Sequence, residues 1–142
     1  MSRLIASRKR LLRVRHVQHS QAVGALMGAR DEASQIENNA RRIAQVRAEL
    51  FSGEGVANGA LLASKRELAG RLERAGRQLD GALYDANRRI DARDADRIVA
   101  DRDREIAERL KDKARAAREA QREARLAALP SYRRMQNKDV DE

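Results

Sequence analysis

The side chains that could do chemistry in this chain are few, and each group has a plainer explanation. His16 and His19 lie three residues apart, so a helix would present both on one face, as a metal-binding pair requires. The sequence offers this pair no third ligand and no accompanying carboxylate pattern. Asp101, Asp103 and Glu105 alternate with arginines, which is typical of surface salt bridges rather than of paired catalytic carboxylates. With no P-loop, dinucleotide motif or nucleophile–base arrangement, we expect no enzyme, no metal and no cofactor.

Positive charge is the strongest chemical property of the sequence. The chain has 31 basic against 22 acidic residues, a net charge of +9, and basic clusters over 3–15 and 109–125. Such a surface attracts acidic proteins, nucleic acid or anionic lipid, and charge alone does not choose among them. Only Phe51, Tyr84 and Tyr132 are available to stack on bases, so we expect no sequence-specific nucleic-acid binding.

Two long segments with helical periodicity carry these residues. In the first, small and apolar residues recur in steps of three and four at Ala22, Leu26, Ala29, Ala33, Ile36, Ala40, Ile43 and Leu50. In the second they recur at Leu61, Leu68, Leu72, Ala75, Leu79, Ala82, Ala86 and Ile90. A glycine-bearing break over 51–59 separates the two segments. This spacing is that of a coiled-coil seam.

Folding the chain back at the break places the two seams in register. Ile43 then faces Leu68, and Ala22 faces Ile90, with small residues mostly opposite large ones. We therefore predict a single all-α domain over 1–142, an elongated antiparallel two-helix coiled-coil hairpin. Its predicted parts are a first helix over about 2–50, a turn over about 51–59, a second helix over about 60–129 and a flexible tail over 130–142.

The predicted register leaves the end of the second helix unpaired. It sets Leu4 opposite Ile106, so 107–129 forms an overhanging C-terminal helix. Early in the first helix, apolar residues are offset from the later seam, which predicts a phase slip between Arg15 and Ala22. The offset residues are Leu4, Leu11, Val14 and Val17.

Two start signals precede the second helix. Asn58 is suited to cap a helix that begins at Gly59 or Ala60. Ser64 and Glu67 have the spacing of a capping box, so residues 60–64 form either a separate short helix or the beginning of the main one. Near the turn, apolar residues exceed what a two-helix seam buries, and either a short middle helix or a partner covers them. They are Val46, Leu50, Phe51, Val56, Leu61, Leu62 and Leu68.

Composition limits the class and the compartment. A chain rich in Ala, Leu, Arg and Glu, with no Cys and no Trp, fits two helices that share a narrow apolar seam and form no deep pocket. No apolar run is long enough to span a bilayer, and the basic start lacks the apolar core of a secretory signal. We expect a cytoplasmic protein.

The sequence resembles the FliJ family of flagellar type III export proteins. The similarity rests on the start Met1-Ser2-Arg3-Leu4, the basic stretch 8–14, the break 55–59 and the Leu68-x-x-x-Leu72 spacing after it. Injectisome counterparts share the same plan. The resemblance implies a non-enzymatic central stalk at the inner-membrane export apparatus, which binds inside the hexameric export ATPase and couples it to the export gate and substrate chaperones.

This resemblance also implies where the partners bind. The end bearing the two termini is expected to enter the ATPase ring through Arg8, Arg10, Arg13, Leu110 and Arg118. The region beside the turn is expected to contact the cytoplasmic domain of the gate or the chaperones through Val46, Leu50, Leu68 and Leu72. A stalk of this kind is expected to be monomeric. The alternatives are a basic coiled-coil module that binds nucleic acid or an acidic protein through charge, and a scaffold that dimerises through its overhanging helices.

Overall fold

Two long α-helices packed together form the described part of the chain. The structure, a computed structural model, describes residues 2–52 and 58–129. Helix α1 spans Ser2–Glu49 and helix α2 spans Gly59–Ala127, and the described residues contain no strand. The all-α prediction is therefore confirmed. Residues 53–57 of the turn predicted over 51–59, and the tail predicted over 130–142, lie outside the described residues.

The start of α2 is fixed by a side-chain cap. The Oδ1 atom of Asn58 accepts a hydrogen bond from the backbone N–H of Leu61 at 2.7 Å, so the predicted N-cap is confirmed. Ser64 does not cap a second start, because its hydroxyl donates to the carbonyl of Ala60 at 3.1 Å within continuous helix. Residues 60–64 are thus the first turns of α2, and a separate short helix over them was the wrong alternative.

The contacts divide the chain into two compact units, to which both helices contribute. Unit 1 comprises Met1–His19 and Ala100–Glu142, and unit 2 comprises Ser20–Val99. In unit 2 the core is a stripe of small and branched side chains, and its buried members are Leu26, Ala29, Ala33 and Ala86. Small residues let the helix axes approach closely, and the larger seam residues Ile36, Ile43, Leu79 and Ile90 are half-buried around them.

The register of unit 2 differs from the predicted one. A Cβ atom built on Gly76 lies 4.0 Å from the Cγ2 atom of Ile43, where the sequence had placed Leu68. Across the same seam Arg47 reaches Glu73 at 3.8 Å. The predicted pairs are wrong by about one heptad. A shift of seven residues again places seam residues opposite seam residues, so the sequence pattern fits both registers almost equally well.

Unit 1 has as many buried apolar side chains as unit 2, but fewer half-buried apolar side chains surround them. Its buried side chains are Ile5 and Leu12 from α1 with Ala107 and Ala114 from α2. Ala107 is 1% exposed and Ala114 is 7% exposed, although the predicted overhang over 107–129 would leave both in solvent. The predicted overhang is therefore wrong for 107–114, where α2 still carries buried seam residues, whereas every residue from 115 to 129 is exposed.

Polar residues occupy the remaining seam positions of unit 1. Between and beyond Ile5 and Leu12, the three-four spacing continues through Arg8, Arg15 and His19, which are all half-buried. The heptad therefore runs through without the predicted phase slip. The residues that had suggested a slip lie mostly outside the seam, since Leu4 is 44%, Val14 52% and Val17 56% exposed, with Leu11 half-buried.

Polar contacts join the helices of unit 1 around these positions. Arg15 Nη1 lies 3.4 Å from Asp103 Oδ2, and His19 Nε2 lies 3.5 Å from Asp101 Oδ1. Arg104 donates to the same Asp101 oxygen at 2.8 Å. That hydrogen bond, reinforced by the charges of Asp101, Glu108 and Glu105, raises the pKa of the Arg104 guanidinium above its ordinary value.

Neither helix has the composition of a membrane span. Over the described ranges, no stretch is both long enough and apolar enough to cross a bilayer.

Candidate partner-binding surfaces

The excess positive charge is concentrated in unit 1. Its described residues, 2–19 and 100–129, include fifteen basic and seven acidic side chains. The described residues of unit 2, 20–52 and 58–99, include thirteen basic and eleven acidic ones. Unit 1 is therefore the part of the molecule that attracts anions most strongly.

In unit 2, many of the basic side chains are neutralised by neighbours on their own helix. Arg41 pairs with Glu37 at 2.7 Å, Arg71 with Glu67 at 2.8 Å, and further i,i+3 and i,i+4 pairs follow the same pattern along α2. Exposed pairs of this kind contribute little to stability, at most about 0.5 kcal/mol each. Their main effect here is to reduce the net positive field of unit 2.

A groove in unit 1 gathers basic side chains from both helices. We call it the basic groove, and its lining residues are Ile5, Lys9, Arg115, Arg118, Glu119 and Arg122. The α2 members are spaced i, i+3, i+4 and i+7, so they lie on one face of that helix. A shallower depression continues along the same face, where Ser2, Arg118, Gln121, Arg122 and Arg125 line it.

The cations of the basic groove are not paired within the described structure. Lys9, Arg115, Arg118 and Arg122 form no ion pair with any acidic side chain in residues 2–52 or 58–129. Basic residues nearby do pair, as Arg109 does with Glu105 at 2.8 Å and Lys111 with Asp112 at 3.7 Å. The described part of the protein therefore supplies no counterion for the positive charge of the groove.

The basic residues predicted as a site are in unit 1 but do not form one patch. Arg8 is half-buried at the seam, whereas Arg10 lies two residues on, about 200° around the helix, and is exposed. Arg13 is also exposed, and Leu110 is half-buried. Only Arg118 lines the basic groove.

Sequence reasoning missed three groove residues as site residues. These are Lys9, Arg115 and Arg122. The spacing of Arg115 and Arg122 around Arg118 signals a common face, and it was available in the sequence. Lys9 could not be assigned, because its position opposite that face depends on the register that the sequence left wrong by about a heptad.

The apolar residues predicted as a second site all lie in unit 2. Val46 is 48% and Leu68 44% exposed, whereas Leu50 and Leu72 are half-buried at the seam. Leu72 also lines a shallow groove with Ile43 and Gly76. The described residues contain no short middle helix over this region, and other large apolar side chains are exposed there as well: Phe51 at 53%, Leu61 at 47% and Leu62 at 38%.

The two histidines have separate environments. His16 is exposed, and His19 approaches Asp101 within the polar contacts of unit 1. Across the part of the chain that the structure describes, no group of three or more His, Asp or Glu side chains is placed to hold a metal ion.

Comparison with known proteins gives no information on these surfaces. No protein-family model, no curated protein and no solved structure matches the chain. The class that the fold and the surfaces define is a protein of two long, packed helices with one strongly basic unit.

Proposed function

We propose that this chain is a non-enzymatic stalk and coupling component of the flagellar type III export apparatus. In this proposal the chain is a cytoplasmic monomer at the inner membrane. Its unit 1 binds inside the ring of the export ATPase, and unit 2 contacts the export gate and substrate chaperones. The observation that carries the proposal is the separation of a strongly basic unit 1 from a nearly neutral, apolar-bearing unit 2.

The proposed form of the molecule is an antiparallel coiled-coil hairpin. Support comes from the order of the cross-helix pairs in unit 2, where Glu32 meets Arg89 and Arg47 meets Glu73. Residue numbers rise along α1 while those of the partners fall along α2, as an antiparallel pair requires. The Asn58 cap starts α2 shortly after α1 ends, which suits a tight reversal.

The proposed ATPase contact is electrostatic. Arg10, Arg13 and Arg118 are exposed, and none of them has an acidic partner among the described residues. Acidic side chains that line a ring would meet these guanidiniums without first displacing an internal ion pair, so little of the attraction would be lost. A stalk that contacts the subunits of the ring unequally biases them between states, and the ring must bias the stalk reciprocally.

The proposed contact with the gate or chaperones is apolar. Val46 and Leu68 are nearly half exposed, and Phe51, Leu61 and Leu62 add further apolar area in the same unit. Burying such side chains is worth about 25 cal/mol per Å² of apolar surface removed from water. A partner with an apolar face would gain affinity there without disturbing the seam.

The basic contact is tested by charge reversal. Arg10→Glu, Arg13→Glu and Arg118→Glu together should weaken binding to the purified export ATPase by at least about tenfold at physiological salt, since each removes a charge-assisted contact. The matched control reverses the exposed unit 2 arginines Arg66, Arg74 and Arg88, with the same change in net charge. Circular dichroism should show unchanged helicity in both variants. Equal affinities of the two variants would contradict the assignment of the ATPase contact to unit 1.

A charge-driven nucleic-acid module is the second candidate, and the unpaired arginines of the basic groove favour it. It predicts that affinity falls linearly with salt on logarithmic axes and is equal for unrelated duplexes. A mobility-shift series with two unrelated duplexes at rising salt distinguishes it from the stalk, which should bind neither duplex at physiological salt.

A further inference from the structure

We infer that the basic groove of unit 1 is a binding site for a compact ligand bearing clustered phosphate groups. Four cationic side chains line it from two helices, and none is neutralised by an acidic partner within the described ranges. This inference goes beyond the proposed function and does not depend on ATPase binding. Its ligand is defined by phosphate chemistry alone.

The geometry of the arginines suits phosphate. Arg115, Arg118 and Arg122 lie on one face of α2 and span about 10 Å along the helix axis. Each guanidinium presents a planar fork of donors that matches two phosphate oxygens, so successive forks can hold successive phosphates. Lys9 adds a point charge from α1 on the other side of the groove.

The floor of the groove strengthens these interactions. Ile5 lines the groove together with the cations and is only 8% exposed. An apolar, buried side chain excludes water from beneath a bound anion. Because the effective dielectric constant falls as water is excluded, each cation attracts the anion more strongly than it would on a flat surface.

The charge pattern favours a compact ligand over a long polyanion. Glu119 lies inside the groove, Glu123 follows it, and Asp112 and Glu108 precede it along α2. A nucleic-acid backbone laid along the helix would meet these carboxylates at regular intervals, whereas a few linked phosphates fit between them. Inorganic polyphosphate and a lipid headgroup that carries several phosphates share this chemistry.

The test uses the full chain and sodium tripolyphosphate, with binding followed by calorimetry at physiological salt. Arg115→Gln with Arg122→Gln should weaken binding by at least about tenfold. The control pair, Arg74→Gln with Arg88→Gln in unit 2, removes the same charge and should change affinity by less than about twofold. Arg10, Arg13 and Arg118 remain in place, so ATPase binding can be measured separately on the same variants.

A variant that is expected to bind more tightly gives a second test, because misfolding would weaken binding and could not strengthen it. Glu119→Gln removes the one carboxylate from the groove and should tighten tripolyphosphate binding by about two- to threefold. The site is overturned if Glu119→Gln has no effect and the two arginine pairs weaken binding equally, because the attraction is then a property of net charge.

Further probes identify the source of the phosphate. Binding to phosphatidylcholine vesicles that contain phosphatidylinositol 4,5-bisphosphate, with competition by tripolyphosphate, assigns the groove to a lipid headgroup. Tripolyphosphate binding without vesicle binding assigns it to a free polyphosphate. The inference fails if no probe binds through Arg115 and Arg122, or if a short DNA duplex binds through them more tightly than tripolyphosphate does.

Discussion

In unit 1, polar residues occupy some of the heptad positions that form the seam between the helices. Arg15 and His19 occupy seam positions, yet they keep part of their side chains in water and contact Asp103 and Asp101 across the helices. Partly exposed pairs such as Arg15–Asp103 contribute at most about 1 kcal/mol. The seam is therefore retained in unit 1, but with less stabilisation than a Leu at the same positions would give.

Replacing His19 by Leu tests this interpretation. His19→Leu places an apolar side chain at a half-buried seam position, while Asp101 keeps its hydrogen bond from Arg104. We expect the free energy of unfolding to rise by about 1 kcal/mol in urea denaturation at pH 7. The control is His16→Leu, the same substitution at an exposed position, which should leave stability within about 0.5 kcal/mol. A loss of stability in His19→Leu would place residue 19 outside the seam.

The raised pKa of Arg104 means that its protonated form stabilises the folded state. A cation whose folded pKa exceeds its unfolded value stabilises the fold at every pH below the unfolded pKa and loses that effect only as the pH rises past the folded one. Because the shift is upward, the Arg104–Asp101 hydrogen bond is not weakened by deprotonation of Arg104 anywhere near neutral pH.

For the two helices, disulfide trapping can test the register in which α1 and α2 pair. The chain has no Cys, so an engineered pair reports without interference. A Cβ atom at position 76 lies 4.0 Å from the Cγ2 atom of Ile43, so the two positions are neighbours across the seam, whereas Leu68 lies about 12 Å further back along α2.

Ile43→Cys with Gly76→Cys should therefore form an intrachain disulfide on mild oxidation, seen as a mobility shift on a non-reducing gel and as a linked peptide by mass spectrometry. The matched control, Ile43→Cys with Leu68→Cys, represents the register that the sequence predicted and should remain reduced under the same conditions. Preferential cross-linking of the control pair would overturn the structural register.

Much of the secondary structure could be predicted from the sequence, but the register could not. Steps of three and four gave both helices, and Asn58 gave the start of α2. Register was missed because heptads repeat and because Ala seam residues pack against partners of either size. In unit 1, Arg8, Arg15 and His19 concealed the true seam, so Leu4 and its neighbours were taken for it.

At the scale of the whole molecule, charge was predictable in amount but not in its arrangement. The net charge of +9 follows from composition. Lys9 from α1 and three arginines from α2 line the basic groove together only because of how the helices pack. Among these cations, only Arg118 was predicted as a site residue. The apolar residues of the second site were all found in one unit, because they lie close to the break in sequence.

The central claim is that the chain is a stalk for a type III export ATPase, and one titration tests it most directly. The purified full chain is added to the export ATPase of the same organism at physiological salt, while hexamer formation and ATP hydrolysis are followed together. We expect ring assembly and turnover to rise and to saturate at one copy of the chain per ring, with the Arg10, Arg13 and Arg118 reversal variant losing most of the effect. If neither assembly nor turnover changes at any ratio, the chain is not the stalk of that ATPase.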